Sequence, residues 1–350
     1  MKQLEHLQVL DMALAVRSPL CVGSGASYRK NEYLFDPRTG RVSILDEDAF
    51  VELLARKNLA DAYERFILGG GRLSAFLREE CRLTRQEIDS VIWYSLHAAD
   101  ALSENGPLRE IQAFQRDAYG RAYIPGSSVK GALRTAYLLH CILAEHRLRN
   151  TPLDEKEFMN TLACNAARKE NLVNDVFRGV QIADSGPIPE QAMILAGKVD
   201  VFPDGSSNRI NVCRECVRPG TVLHLRITLD QSLLQQRITK ETLAQSIAEF
   251  AGYYRNTYLA HFRRPDRDSG ESYQNCLILG AGAGFFSKTL AYPYYSEAMA
   301  LQKTAQFMQR KFPKGRHERD VQRGIAPHTL KYTEYGGQLC PFGVCGVEIK

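Results

Sequence analysis

The stretch IPGSSVKGALRTAYL, residues 124–138, changes the periodicity of the chain. Val129, Leu133, Ala136 and Tyr137, with Leu143 beyond, recur at helical spacing and predict a helix from Ser127 to about Arg147. Gly126, Ser127 and Ser128 supply capping chemistry at its start. Its free N–H groups and positive dipole end favour an anion, and Lys130 and Arg134 stand four apart on one face. A phosphate suits that place. Gly131, in the first turns, points to close approach of another backbone. The GK[ST] of a P-loop is missing.

On both sides of this helix the period falls to two. Upstream, Leu10, Met12, Leu14 and Val16 alternate with polar or small residues and predict a half-buried strand. It stops in SPLCVGSG, residues 18–25, where Pro19, Gly23 and Gly25 form a loop able to meet another backbone closely. A strand pair at 33–35 and 42–45 flanks the turn DPRTG. From Asp46 to about Leu102 apolar residues return at helical spacing, ending with Ile88, Ile92 and Leu96.

Downstream come the strands VFRGVQIAD (176–184), AMILAGKVDVF (192–202), RINVCREC (209–216) and TVLHLRITLD (221–230). A helix over 239–262, a charged loop at 263–272, a strand into the glycines at 280–284, a polar helix from Ser296 to Lys311 and a closing strand at 344–349 follow. Helices and strands without regular alternation predict an α+β fold.

The chain has 350 residues, 44% hydrophobic and 24% charged, a globular composition that excludes disorder and collagen. No apolar run approaches the 18 or so residues of a membrane span, and the N-terminus lacks the apolar run of a signal peptide, so a cytoplasmic protein without membrane contact is expected. Residues 303–323 hold seven basic residues against Glu318 and Asp320, which equals the whole net charge of +5. That concentration is compatible with nucleic acid.

The second chemical motif is LILGAGAGFFSKT, residues 277–289. Its Gly280, Gly282 and Gly284 alternate after a strand, and Ser287 and Lys288 lie just beyond. A dinucleotide fingerprint would need glycine at 285, which is Phe, so the motif reads as small residues whose successive N–H groups can hold phosphate oxygens. Cys213, Cys216, Cys340 and Cys345 have a zinc-like count. However, 213 and 216 point to opposite faces of a strand, so no metal and no cofactor are expected. The eight histidines show no paired acid–base spacing.

These motifs occur in a definite order: PLCVGSG, IPGSSVKGALR, Asp184 to Ile188, REC with PGT at 214–221, and GAGAGFFSK. In that order the chain resembles the RAMP superfamily of CRISPR proteins, and within it the fifth (cap) subunits of type III-A Csm effector complexes. The resemblance implies an RRM-like (ferredoxin-like) core over 1–230, with a helical insertion at about 46–120 and a hairpin insertion at about 190–215. A second helical and β part, 231–350, would carry the glycine-rich RNA-binding loop and the closing strand. It also implies a non-catalytic subunit of the interference ribonucleoprotein, binding the 3′ part of a crRNA, capping a filament of backbone RAMP subunits and contributing to crRNA maturation with host trimming nucleases.

RNA contacts are then expected at Gly23, Gly25, Gly126, Ser127, Ser128, Lys130, Arg134, Gly280, Gly282, Gly284, Ser287 and Lys288. The related backbone subunit cuts RNA with an Asp shortly after its first glycine loop, whereas here Gly25 is followed by Ala26, Ser27 and Tyr28, so no catalytic residue is expected. Asp36, the next acid downstream, reads as a turn residue. Cys21 stands where the family usually has His. A metal-independent endoribonuclease that processes guide-RNA precursor is the alternative, since such enzymes share the fold.

Overall fold

The structure, a computed structural model, describes residues 6–102, 106, 108–145, 174–264 and 273–350. The alternation at the N-terminus forms β1 (Leu7–Val16), with Met12 and Leu14 fully buried. β1 lies between β10 (Val222–Asp230) and β14 (Val344–Ile349), both antiparallel to it, and β7 (Val180–Ile182) pairs outside β10. Two helices, α3 (Gly126–Ala144) and α4 (Lys240–Tyr253), follow β1 and β10 in the chain and pack on each other.

The order β14-β1-β10-β7, with helices after the first and third chain segments, is the 4-1-3-2 arrangement of a βαββαβ unit. The expected ferredoxin-like core is therefore present. β11 (Cys276–Ile278) adds an edge strand beside β14.

A second, nine-stranded sheet is built from segments inserted into that core. Its main path runs β2 (Gly23–Tyr28), β6 (Glu110–Phe114), β9 (Ser207–Val217), β8 (Met193–Val201), β5 (Ile92–His97), β4 (Arg41–Leu45) and β3 (Tyr33–Asp36). The hairpin β12 (Leu330–Tyr335) and β13 (Gln338–Pro341) joins at β8. One continuous apolar core lies between the sheets and α3 and α4. The inserted helices α1 (Glu47–Arg56) and α2 (Ala60–Gly69) enclose a separate small core with Phe50, Leu53, Phe76 and Leu77.

Several expected elements differ. The helical block ends at Asp89, because Ile92 and Leu96 belong to β5. A spacing of four fits one helical face and also two strand repeats, and Trp93 and Tyr94 favour the strand. The strand expected at 176–184 shrinks to β7 behind a short 3-10 turn at Val176–Gly179. Gly23 and Gly25 lie inside β2 rather than in a loop, at a register shift in its pairing with β6. β6 and the β12–β13 hairpin went unread. The hairpin signal was Gly336-Gly337, both with positive φ, the mirror-turn geometry that tightens a two-residue connection. The charged loop expected at 263–272 lies outside the described residues beyond Arg264, and the helix end expected at Arg147 also lies outside them.

Candidate nucleic-acid interface

The N-terminus of α3 is occupied from within the chain. The Gly126 N–H donates to Asp184 Oδ1 at 2.8 Å, and a Cβ at 126 would stand 2.0 Å from the Ile182 carbonyl oxygen. The first residue has no side-chain cap, and the Ser128 N–H turns back to the Pro125 carbonyl. Gly126 is therefore the glycine demanded by close backbone packing. Gly131 has nothing within 4 Å of its would-be Cβ, which corrects that expectation. Ser127 is exposed and Ser128 half-buried.

Arg134 donates through Nε (2.9 Å) and Nη2 (2.6 Å) to Asp175 Oδ2, so the dipole end and one of the two cations are already partnered. Burial lowers the Lys130 pKa, and Asp175 opposes the shift.

The glycine loop is likewise fitted to the protein's own backbone. A Cβ at Gly280 would lie 1.9 Å from the Cys21 carbonyl oxygen, and one at Gly282 would lie 2.0 Å from that of Phe342. The Ala281 N–H donates to Cys21 O, the Gly282 N–H to Leu279 O and the Ala283 N–H to Gly280 O. Three segments, 18–22, 279–284 and 341–344, are thus pinned backbone to backbone. Gly284 differs, with open space where its Cβ would be. The buried Ser287 hydroxyl donates to the Gly284 carbonyl, and Lys288 is exposed. On the far side of the Cys21 segment, β2 runs along the sheet edge, exposed from Gly23 to Ser27. Gly25 there has φ +93° and no neighbour within 4 Å of a Cβ.

Beyond the loop, Arg134 and Lys288 meet in a groove of about 530 Å³. Its other wall is α5 (Glu297–Lys311), which contributes Lys303 and Arg310 from the basic segment. Phe285 and Phe307 line it with ring centroids 5.0 Å apart, and none of the described residues lining it is acidic. Lys288, Lys303 and Arg310, with the Asp175-paired Arg134, stand beside two aromatic rings and form a surface that suits a nucleic-acid strand: charge for phosphates and π-faces for bases.

Sequence reading missed two cations near the glycine loop. Lys331 Nζ donates to the Ala283 carbonyl at 3.3 Å. Burial, with Arg214, Lys288 and Lys198 as like charges, pushes its pKa down to about 8. The Arg214 guanidinium donates to Gln112 and lies over the Phe342 ring, and its buried Nη1 has no hydrogen-bond partner. Both residues come from strands whose nearness to 280–284 no local spacing announces. Cys21 itself is buried, and its thiol pKa is lowered by a hydrogen bond with Cys216.

The four zinc-candidate thiols are not assembled. Cys213 faces the Ala101 carbonyl, Cys216 faces Cys21, and Cys345 lies in the other sheet. Asp36 accepts from the Arg38 N–H and the Thr39 hydroxyl, as its turn requires. His140, His317 and His328 do acquire acidic partners. His140 pairs with Glu249, and the fully buried Asp320 accepts from His317 Nδ1 (2.8 Å), His328 Nδ1 (2.6 Å) and Arg323 Nη1 (3.2 Å). Among the described residues these last two histidines and Asp320 are the one group close enough to share an ion. Arg323 already balances the carboxylate, and the cluster serves as a clasp between 317–323 and His328, eight residues beyond Asp320.

Comparison with known proteins places these features in context. The profile of the RAMP superfamily matches residues 13–278. The protein named CRISPR system Cms protein Csm5 of Mycobacterium tuberculosis (strain CDC 1551 / Oshkosh) is 25% identical, covering 99% of this chain and 98% of that protein. The protein of the same name from Streptococcus thermophilus is 27% identical over 81% of this chain and 80% of its own length. Among solved structures, a chain of the cryo-EM structure of a Csm-crRNA-target RNA ternary complex in a type III-A CRISPR-Cas system superposes with a TM-score of 0.66. It is 19% identical and covers 97% of this chain and all of that one. The crystal structure of T. onnurineus Csm5 gives 0.60 at 19% identity, covering 95% and 99%.

Proposed function

The chain belongs to the RAMP superfamily, and on that premise we propose that it is a non-catalytic RNA-binding subunit of a type III-A Csm ribonucleoprotein. In this reading it caps the filament of backbone RAMP subunits, holds the 3′ part of the crRNA and helps define the matured end that host nucleases trim. The relatives named above motivate the assembly. The observation that carries RNA binding is the groove in which Arg134 and Lys288, far apart in sequence, meet Lys303 and Arg310 beside Phe285 and Phe307, with no acid among the described residues that line it.

The strand would run past the open Gly284 toward Lys331 and the exposed glycines of β2, with the backbone positioned by charge rather than read by base. Gly280, Gly282 and Gly126 serve this path indirectly, by letting the chain's own segments close up behind it.

The test is a salt titration of single-stranded RNA binding by the parent and by Lys288→Ala/Arg310→Ala. Each phosphate that is no longer neutralised reduces the slope of log affinity against log salt by about 0.7 for single strands. The double variant is expected to bind more weakly at low salt and to show a slope shallower by about 1.4. Parental affinity and slope in a folded double variant would remove the groove from the RNA path.

A further inference from the structure

The turn between β6 and α3 carries a second surface that the groove does not account for. Tyr119 at its tip is 82% exposed. The turn is rigid: Asp117 accepts from the N–H groups of Tyr119 and Arg121 and from the Arg121 guanidinium, all within 2.9 Å. Gly120, at φ +76°, lies against the indole of Trp93, the chain's one tryptophan. A Cβ there would come within 2.8 Å of Trp93 Nε1, and Trp93 itself is 47% exposed. The Arg121 guanidinium lies over one face of the Tyr119 ring at 5.1 Å, which leaves the opposite face to solvent.

An aromatic ring in open solvent, carried by a turn that three hydrogen bonds fix, is preorganised for a flat partner. The adjoining side chain is cationic, and the acid within the turn, Asp117, is consumed by it. The two ends of the turn run directly into β6, the partner of the exposed glycine strand β2, and into Gly126 at the start of α3.

We propose that Tyr119, backed by Arg121 and flanked by Trp93, is a stacking platform for an unpaired nucleobase of bound RNA. This inference rests on the RNA-binding reading above and adds a base-stacking subsite outside the groove. Stacking on an aromatic face tolerates every base, so the platform grips the strand without choosing its sequence.

The experiment uses the full chain with an oligouridylate and the same oligomer lacking its bases, following affinity and the emission of Trp93. Tyr119→Ala, at an exposed site, is expected to bind the intact oligomer about tenfold more weakly, while Tyr119→Phe stays within about twofold. The abasic oligomer should bind Tyr119→Ala and the parent equally, and only the intact oligomer should change Trp93 emission. Lys288→Ala/Arg310→Ala separates the two readings. If that variant is weakened and Tyr119→Ala is not, the platform is refuted and the groove stands. If Tyr119→Ala alone is weakened, the platform stands and the groove falls. If neither is weakened, both are refuted. Parental RNA affinity in Tyr119→Ala combined with weaker association with the backbone subunit would make the turn a protein contact and overturn the inference.

Discussion

Replacing Gly282 with alanine tests why the glycine loop is glycine. The new Cβ would stand 2.0 Å from Phe342 O, 2.5 Å from its carbonyl carbon and 3.1 Å from Gly343 Cα. A relaxed contact is about 3.5 Å, so two backbone segments would have to part by about 1.5 Å. Those segments are held by the Gly343 N–H donating to Pro19 O (2.9 Å) and the Leu279 N–H donating to Gly343 O (2.8 Å). Breaking both bonds costs about 2 kcal/mol, and the overpacking adds about 1–3 kcal/mol. A total near 3–5 kcal/mol lowers the melting temperature by roughly 5 °C or more.

Gly284→Val is the matched control, since its Cβ meets nothing within 4 Å and its φ is not positive. It is expected to melt with the parent yet to weaken RNA binding by intruding beside Phe285. Differential scanning calorimetry and RNA binding on both variants give the answer. A Gly282→Ala protein that melts with the parent would refute the packing argument. A Gly284→Val protein that binds RNA normally would remove that position from the interface.

Two further outcomes follow from the electrostatics. Lys331 titrates near pH 8 in the free protein, and an RNA phosphate nearby would raise that value. Binding then takes up a proton, and affinity should fall as pH rises from about 8 toward the higher value of the complex. Fluorescence titrations from about pH 7 to about 9.5 should show this fall in the parent and not in Lys331→Gln, and an equal fall in both would exclude Lys331. Burial pushes the Asp320 carboxyl up, but the hydrogen bonds from His328 and His317 outweigh it and hold its pKa below the ordinary value. Its contribution to stability is therefore present above about pH 4 and disappears as pH falls through the lowered native value. Asp320→Asn sets an amide donor against these donors and should cost about 3 kcal/mol near neutral pH, read from thermal melts, whereas an unchanged melt would show that the clasp carries no stability.

Periodicity was enough for β1 and β10, whose buried residues alternate along one face, and for α3, whose buried residues recur at helical spacing. It failed at Ile92 and Leu96, where a spacing of four satisfies both periods and only pairing with β4 and β8 makes the segment a strand. The motifs were visible as motifs, and Lys288 and Arg134 both line the groove. What the glycines are for was not visible. A glycine written before a helix or after a strand looks the same whether a phosphate or the chain's own carbonyl comes close, and at 126, 280 and 282 it is the chain's own carbonyl. The groove and the Lys331 and Arg214 charges join residues from distant strands and helices, whereas the Asp320 clasp closes within residues 317–328. Local sequence determines which face of an element is apolar, but only the folding of one sheet against the other determines which polar faces meet.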